Sequence, residues 1–255
     1  MSWKRISSSV TGRSHLDRNE NGQDYCLDSV VQFSEKEFFI GLAADGAGST
    51  TNGGEGAKIA CCATYQNILN TIRQIEDLSL ITENDIKNWI ISSRNSIEKQ
   101  AQKNEKHLQD YACTLLGSII GKDYSIYFQI GDGGIVINSD NKYHPIFWPD
   151  QGEYLNLTFF ITDDSFLDHL KISKTEDSPD EIALFTDGLQ NLVLSYSEKT
   201  GHVGFFKPLF EALRKNPCND FFNLTGQLSD FISSKEINER TDDDKTIILA
   251  LSSMI

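Results

Sequence analysis

Between residues 111 and 148 the chain breaks into short β-forming runs, YACTLLGSIIG, YSIYFQIGDGG, IVINS and KYHPIFW, with little but Gly, Asp and Asn between them. Parallel strands need a crossover of a dozen or more residues, and no such length is available here. The stretch therefore predicts an antiparallel meander. Strand patterns at 3–10, 25–33 and 37–44 precede it. Two helical patterns stand between, at 54–73 and 83–105. In the first, Ala57, Ala60, Cys61, Thr64, Ile68 and Ile72 recur every three or four residues; in the second, Ile86, Trp89, Ile90 and Ile97 do, and Thr82 with Asp85 makes a capping box. Strands are expected at 158–162 and 182–186, helices near 188–195, 203–215 and 219–234, and a closing strand at 245–251. Strands grouped around long helices, rather than alternating one for one, indicate an α+β fold with antiparallel sheets. No repeat, low-complexity tract or linker divides the chain, so residues 1–255 are expected to form one domain.

The formal net charge of −14 provides no basic face for a phosphate backbone, so no nucleic-acid partner is expected. No apolar stretch approaches the roughly 20 residues that span a bilayer, and MSWKRISSSVTG lacks the apolar core of a secretory signal. The five cysteines, at 26, 61, 62, 113 and 218, form no C-x-x-C pair and read as reduced thiols. A cytoplasmic monomer with no membrane partner is the expectation.

Acidic residues sit at the ends of the apolar runs. Asp24 in NGQDYCL precedes a strand, Asp45 in LAADGAGST follows one, Asp187 in IALFTDGL follows another, and Asp242, Asp243 and Asp244 precede the last. Asp132 in FQIGDGG adds a further position. Each alone reads as a turn or a solvated cap. Carboxylates gathered at one sheet edge repel, and a hard divalent cation with oxygen ligands relieves the repulsion. Gly46 would let a backbone carbonyl turn toward such an ion. No segment has EF-hand spacing, and HExxH, a Cys/His zinc cluster and a P-loop lysine are all missing. The pattern by itself leaves turn and ligand readings both open.

The motifs GRSHLDRNENGQDYC, FFIGLAADGAGSTTNGGEGAKIA, ACTLLGSII, YFQIGDGGIVI, IALFTDGLQNL and TDDDKTIILAL, with GEYLNLTFFIT at 152–162, resemble those of the PP2C family of metal-dependent Ser/Thr protein phosphatases. They are most similar to its short bacterial branch, and the likeness runs from about residue 8 to 251. The resemblance implies a four-layer α-β-β-α sandwich and a centre of two Mn²⁺ or Mg²⁺ ions, with a weaker third. Carried over by motif, Asp45 is the bridging carboxylate, Gly46 supplies a carbonyl ligand, and Asp187 and Asp243 complete the first ion's set. Asp244 stands where the family has Asn, Asp24 lies near the second ion, and Asp132 helps hold the third. Gln23 replaces a Glu common before the first Asp, and Asn19 stands where many members have a phosphate-binding Arg. That leaves Arg13, His15 and Arg18 as candidates for holding phosphate, with His15 also a candidate general acid.

The activity so implied is hydrolysis of phosphoserine and phosphothreonine in proteins by water activated between two cations, without a covalent phosphoenzyme. The partner would be a phosphoprotein, opposite a Ser/Thr kinase. The alternative is a catalytically weak, phosphoprotein-binding or regulatory module on the same fold.

Overall fold

The run read as EFFIGLAAD forms the strand Lys36–Ala44, and its side chains divide by parity. Phe38, Ile40, Leu42 and Ala44 enter one core, whereas Phe39 and Ala43 enter another. Alternation of this kind, with both faces apolar, requires a sheet covered on both sides.

A computed structural model describes residues 2–75, 77–140, 142–149, 158–216 and 221–253. The elements follow in the order β1 (Ser2–Val10), α1 (Arg13–Leu16), β2 (Tyr25–Phe33), β3 (Lys36–Ala44), α2 (Gly53–Ile75), α3 (Glu83–Lys103), β4 (Leu115–Ile120), β5 (Ser125–Ile130), β6 (Gly134–Ser139) and β7 (Lys142–Pro145). Then come β8 (Lys171–Thr175), β9 (Glu181–Phe185), α4 (Asp187–Val193), β10 (Leu194–Ser195), β11 (Thr200–Gly201), α5 (Val203–Lys215), α6 (Phe221–Ile232), α7 (Lys235–Asn238) and β12 (Lys245–Ser253).

Among the described residues the strands form two sheets, ordered β1-β12-β9-β6-β7-β11-β10 and β2-β3-β4-β5-β8, and every strand pairing is antiparallel. Three apolar cores define four layers. Ile68, Ile72, Trp89 and Ile97 of α2 and α3 pack on Ile40, Leu42, Ile119 and Phe128 of the five-stranded sheet. Phe206, Phe210 and Leu228 of α5 and α6 pack on Ala183, Phe185, Ile247 and Leu249 of the seven-stranded sheet. Between the sheets lie Trp3, Phe39, Leu116, Tyr127, Ile135, Ile182, Leu184 and Ile248. β12 repeats the parity rule: Ile247, Leu249 and Leu251 face the helices, and Ile248 and Ala250 face the other sheet. The expected α-β-β-α sandwich is therefore present. Thr82 caps α3 through the reciprocal box with Asp85, an arrangement of the kind that satisfies two otherwise orphaned backbone donors.

One expected strand is not formed. Residues 158–160 are irregular and 161–162 lie in a turn. Their polar groups bond elsewhere: Ile161 N donates to Cys113 O at 2.9 Å, Phe160 N to Asp163 Oδ2 at 2.8 Å, and Arg94 Nη2 to Thr162 O at 3.3 Å. Residues 152–157 of the motif at 152–162, the first two residues of the helix expected at 219–234, and Cys218 lie outside the described residues.

Candidate metal centre

Strand register brings the acidic residues to one end of the sandwich. Tyr25 pairs with Ala44, so Asp24 and Asp45 are neighbours at the same end of the β2–β3 hairpin. Phe185 pairs with Ile247 on one side and Gly134 on the other, which puts Asp187, Asp243 and Asp132 at the corresponding end of the second sheet. The turn carrying Asp132 crosses from β5 to β6, from one sheet to the other, and both its flanking residues, Gly131 (φ 89°) and Gly133 (φ 84°), occupy the left-handed region that favours glycine.

Carboxylate oxygens of Asp45, Asp132 and Asp187 lie within 4.8 Å of one another. Asp45 is held through its backbone, which exchanges bonds with Thr114: Asp45 N donates to Thr114 Oγ1 at 2.9 Å, and Thr114 N to Asp45 O at 2.8 Å. Thr158 Oγ1 donates to Asp132 Oδ2 at 2.7 Å, and Thr186 Oγ1 to Asp24 Oδ2 at 2.7 Å. Gly46 sits where α2 begins, and a Cβ there would meet Gly53 C at 2.3 Å, so only glycine allows this approach.

The electrostatics follow from crowding. Burial, followed by the charges of Asp24 and Asp187, holds the Asp45 carboxyl well above the usual carboxylate range. Asp187 is pushed up to about 7, first by burial and then by Asp132, Asp243 and Asp24. Asp24 is also pushed up to about 7 by burial, against the hydrogen bond from Thr186. Asp243 is raised chiefly by burial, while its Oδ1 accepts from Asp244 N at 2.8 Å.

The donor set fits a hard divalent cation. All its atoms are oxygens, the preferred ligands of Mg²⁺ and Mn²⁺. Asp24 Oδ1 and Asp132 Oδ1 are buried without a hydrogen-bond partner among the described residues, and such atoms ordinarily have one.

The remaining sequence candidates divide. Asp244 lies beside the cluster but is turned inward, 2% exposed. It accepts from Gly12 N at 2.6 Å and Gln23 N at 2.5 Å, and His15 Nδ1 stands 3.1 Å from its Oδ1. It thereby pins the segment 12–23 against β12. His15 is buried on α1 in that contact. Arg18 is exposed and pairs with Glu20 at 2.8 Å. Arg13 is exposed, and no acidic side chain among the described residues pairs with it.

Sequence reasoning missed Thr114, Thr158, Thr186 and Gln190, the last accepting from Gly133 N at 3.0 Å through Oε1. The only signal was adjacency, as with Thr186 directly before Asp187. Contacts across tens of residues carry no local pattern.

The profile of the family described as Protein phosphatase 2C matches residues 11–233. Serine/threonine-protein phosphatase 3 of Escherichia coli (strain K12) is 35% identical over 254 residues, 98% of this chain and 99% of that protein. The serine/threonine phosphatase Stp1 from Staphylococcus aureus superimposes with a TM-score of 0.63 at 16% identity, over all of this chain (100%) and 96% of Stp1. A C. elegans sex determining protein gives a TM-score of 0.70 at 14% identity over 98% of this chain, which spans 65% of that chain's length.

Proposed function

This chain belongs to the protein phosphatase 2C family, and we propose that it hydrolyses phosphoserine and phosphothreonine in proteins at the acidic end of its sandwich. The observation carrying this reading is the convergence of Asp45, Asp132 and Asp187 within 4.8 Å, from three separate parts of the sequence. A chain has no reason to gather mutually repelling carboxylates unless something bound there offsets them.

Two Mn²⁺ or Mg²⁺ ions, with a third held more weakly, would be taken by Asp45, Asp187, Asp243, Asp24, Asp132 and the Gly46 carbonyl. When bound, such ions supply Lewis-acid chemistry that lowers the pKa of water and offsets phosphoryl charge. The chain's own residues set the geometry. Thr114 fixes the Asp45 backbone, Thr186 orients Asp24, and Thr158 orients Asp132. Asp244 and His15 hold the segment from which Arg13 reaches solvent. Arg13 is the group assigned to the substrate phosphate, because Arg18 is engaged by Glu20 and His15 is buried on Asp244. A guanidinium suits this task, since it offers paired donors to phosphate oxygens.

The substrates would be phosphoproteins of the cytoplasm, opposite a Ser/Thr kinase, met by a monomer. Among the described residues no helix is long and apolar enough to cross a membrane. The test is hydrolysis of a phosphothreonine peptide with Mn²⁺, with chelator, and in D45N and D187N. Turnover should need Mn²⁺ and both aspartates. A rate indifferent to chelator would sink the proposal, and tight peptide binding without turnover in Mn²⁺ would favour the binding module instead.

A further inference from the structure

β12 opens on a lysine in a place where lysines are almost never found. Lys245 is 0% exposed, although lysine is rarely buried fully unless paired. Its Nζ donates to Asn238 Oδ1 at 2.9 Å and to the Asp243 carbonyl at 3.1 Å. Asn238 is oriented for this by its own Nδ2, which donates to Ser233 O at 2.8 Å. Both acceptors are neutral, so neither balances the ammonium charge. Burial lowers the pKa of this ammonium from the usual lysine range, and the charges of Asp244, Asp243, Asp24 and Asp242 work against that lowering. Asp24 and Asp243 are also among the groups that crowd Asp45 and Asp187.

We infer that Lys245, bonded to the backbone of Asp243, is a counter-charge to the acidic cluster, a positioning residue that sets how tightly the site takes a divalent cation; this rests on the metal-centre reading above. Two effects follow from one charge. Without cation, the ammonium offsets carboxylate repulsion, and its bond to the Asp243 carbonyl fixes the turn from which that side chain projects. With cation, the same charge opposes the incoming ion. Its removal should loosen the cation-free fold and tighten cation binding together. A lysine serving only as a hydrogen-bonded tie would lose stability on replacement with no gain in binding.

The test uses full-length K245M, K245Q and K245R. Each is titrated with Mn²⁺ by calorimetry and melted without metal. K245M and K245Q should bind Mn²⁺ more tightly, on the order of tenfold, from the loss of a nearby like charge in a partly screened medium, and should melt lower when metal-free. K245R should keep the wild-type affinity. Equal or weaker binding by both neutral variants overturns the inference. K245Q retains a donor for Asn238 and decides the matter if K245M does not fold. If both neutral variants stay unfolded even with Mn²⁺, the lysine is a structural tie and the inference falls. If the wild type itself takes up no Mn²⁺, the metal-centre reading fails and this inference with it.

Discussion

Replacing Asp244 by Asn tests how the segment carrying Arg13 is fixed. The carboxylate is 2% exposed. Gly12 N donates to Oδ1 at 2.6 Å, Gln23 N to Oδ2 at 2.5 Å, and His15 Nδ1 lies 3.1 Å from Oδ1. An amide offers one oxygen, so whichever way it turns at least one backbone N–H faces an NH₂ group. The variant loses a bond to a charged acceptor, about 1.5–3 kcal/mol, and strands a buried donor, about 1–3 kcal/mol. A net cost of about 2.5–6 kcal/mol follows, a large part of the roughly 5–15 kcal/mol by which domains are stable. For a chain of this size each kcal/mol lowers Tm by about 2–4 °C, so D244N should melt about 10 °C below wild type. The assay is thermal unfolding at pH 7 in chelator, followed by tryptophan fluorescence, so that cation binding adds nothing. A D244N variant within about 1 kcal/mol of wild type would refute the reasoning, because it would mean that these three donors do not depend on the carboxylate.

Other expectations can be checked alongside. The Asp24 and Asp187 carboxyls are raised to about 7 in the folded chain, against about 3.9 unfolded. The folded state therefore holds protons that the unfolded state has released. That stability is complete below about pH 4 and is lost as pH rises through about 7. Melting of the metal-free protein at pH 5 and 8 should give a lower Tm at pH 8, and saturating Mn²⁺ should shrink the difference. G46A places a Cβ 2.3 Å from Gly53 C, which forces backbone apart where α2 begins; a loss of about 2–4 kcal/mol in urea unfolding is expected. R13A removes an exposed side chain, so stability should stay within about 0.5 kcal/mol. Its kcat/KM on a phosphopeptide should fall about 10- to 100-fold, the worth of one charge-assisted contact.

The layers were legible because both sheets obey simple parity. Phe39 and Ala43 separate from Phe38 and Ile40, and α2 shows its buried stripe from Ala57 to Ile72 at helical spacing. These are local periodicities, and burial enforces them. Residues 158–162 misled because FFIT has strand composition while its polar groups are taken up by Cys113, Asp163 and Arg94, which are remote or side-chain partners. The site was legible as a set of aspartates at strand ends. What no local pattern carried is how Asp132 reaches Asp45 and Asp187, with carboxylate oxygens within 4.8 Å of one another, through a turn with two left-handed glycines. Asp244 read as a stand-in at an Asn position, and only the fold reveals that it ties residues 12 to 23 to the last strand, more than 220 positions away. Lys245 opens the strand expected at 245–251, and nothing local in the sequence signals that it is buried with its ammonium bonded to Asn238 of α7.

The most direct test of the metal centre is anomalous diffraction from crystals of this protein soaked in Mn²⁺, recorded on both sides of the manganese absorption edge. The strongest peak should fall among the side chains of Asp45, Asp132 and Asp187. A map with no peak there, or with manganese bound only elsewhere on the acidic surface, would contradict the account.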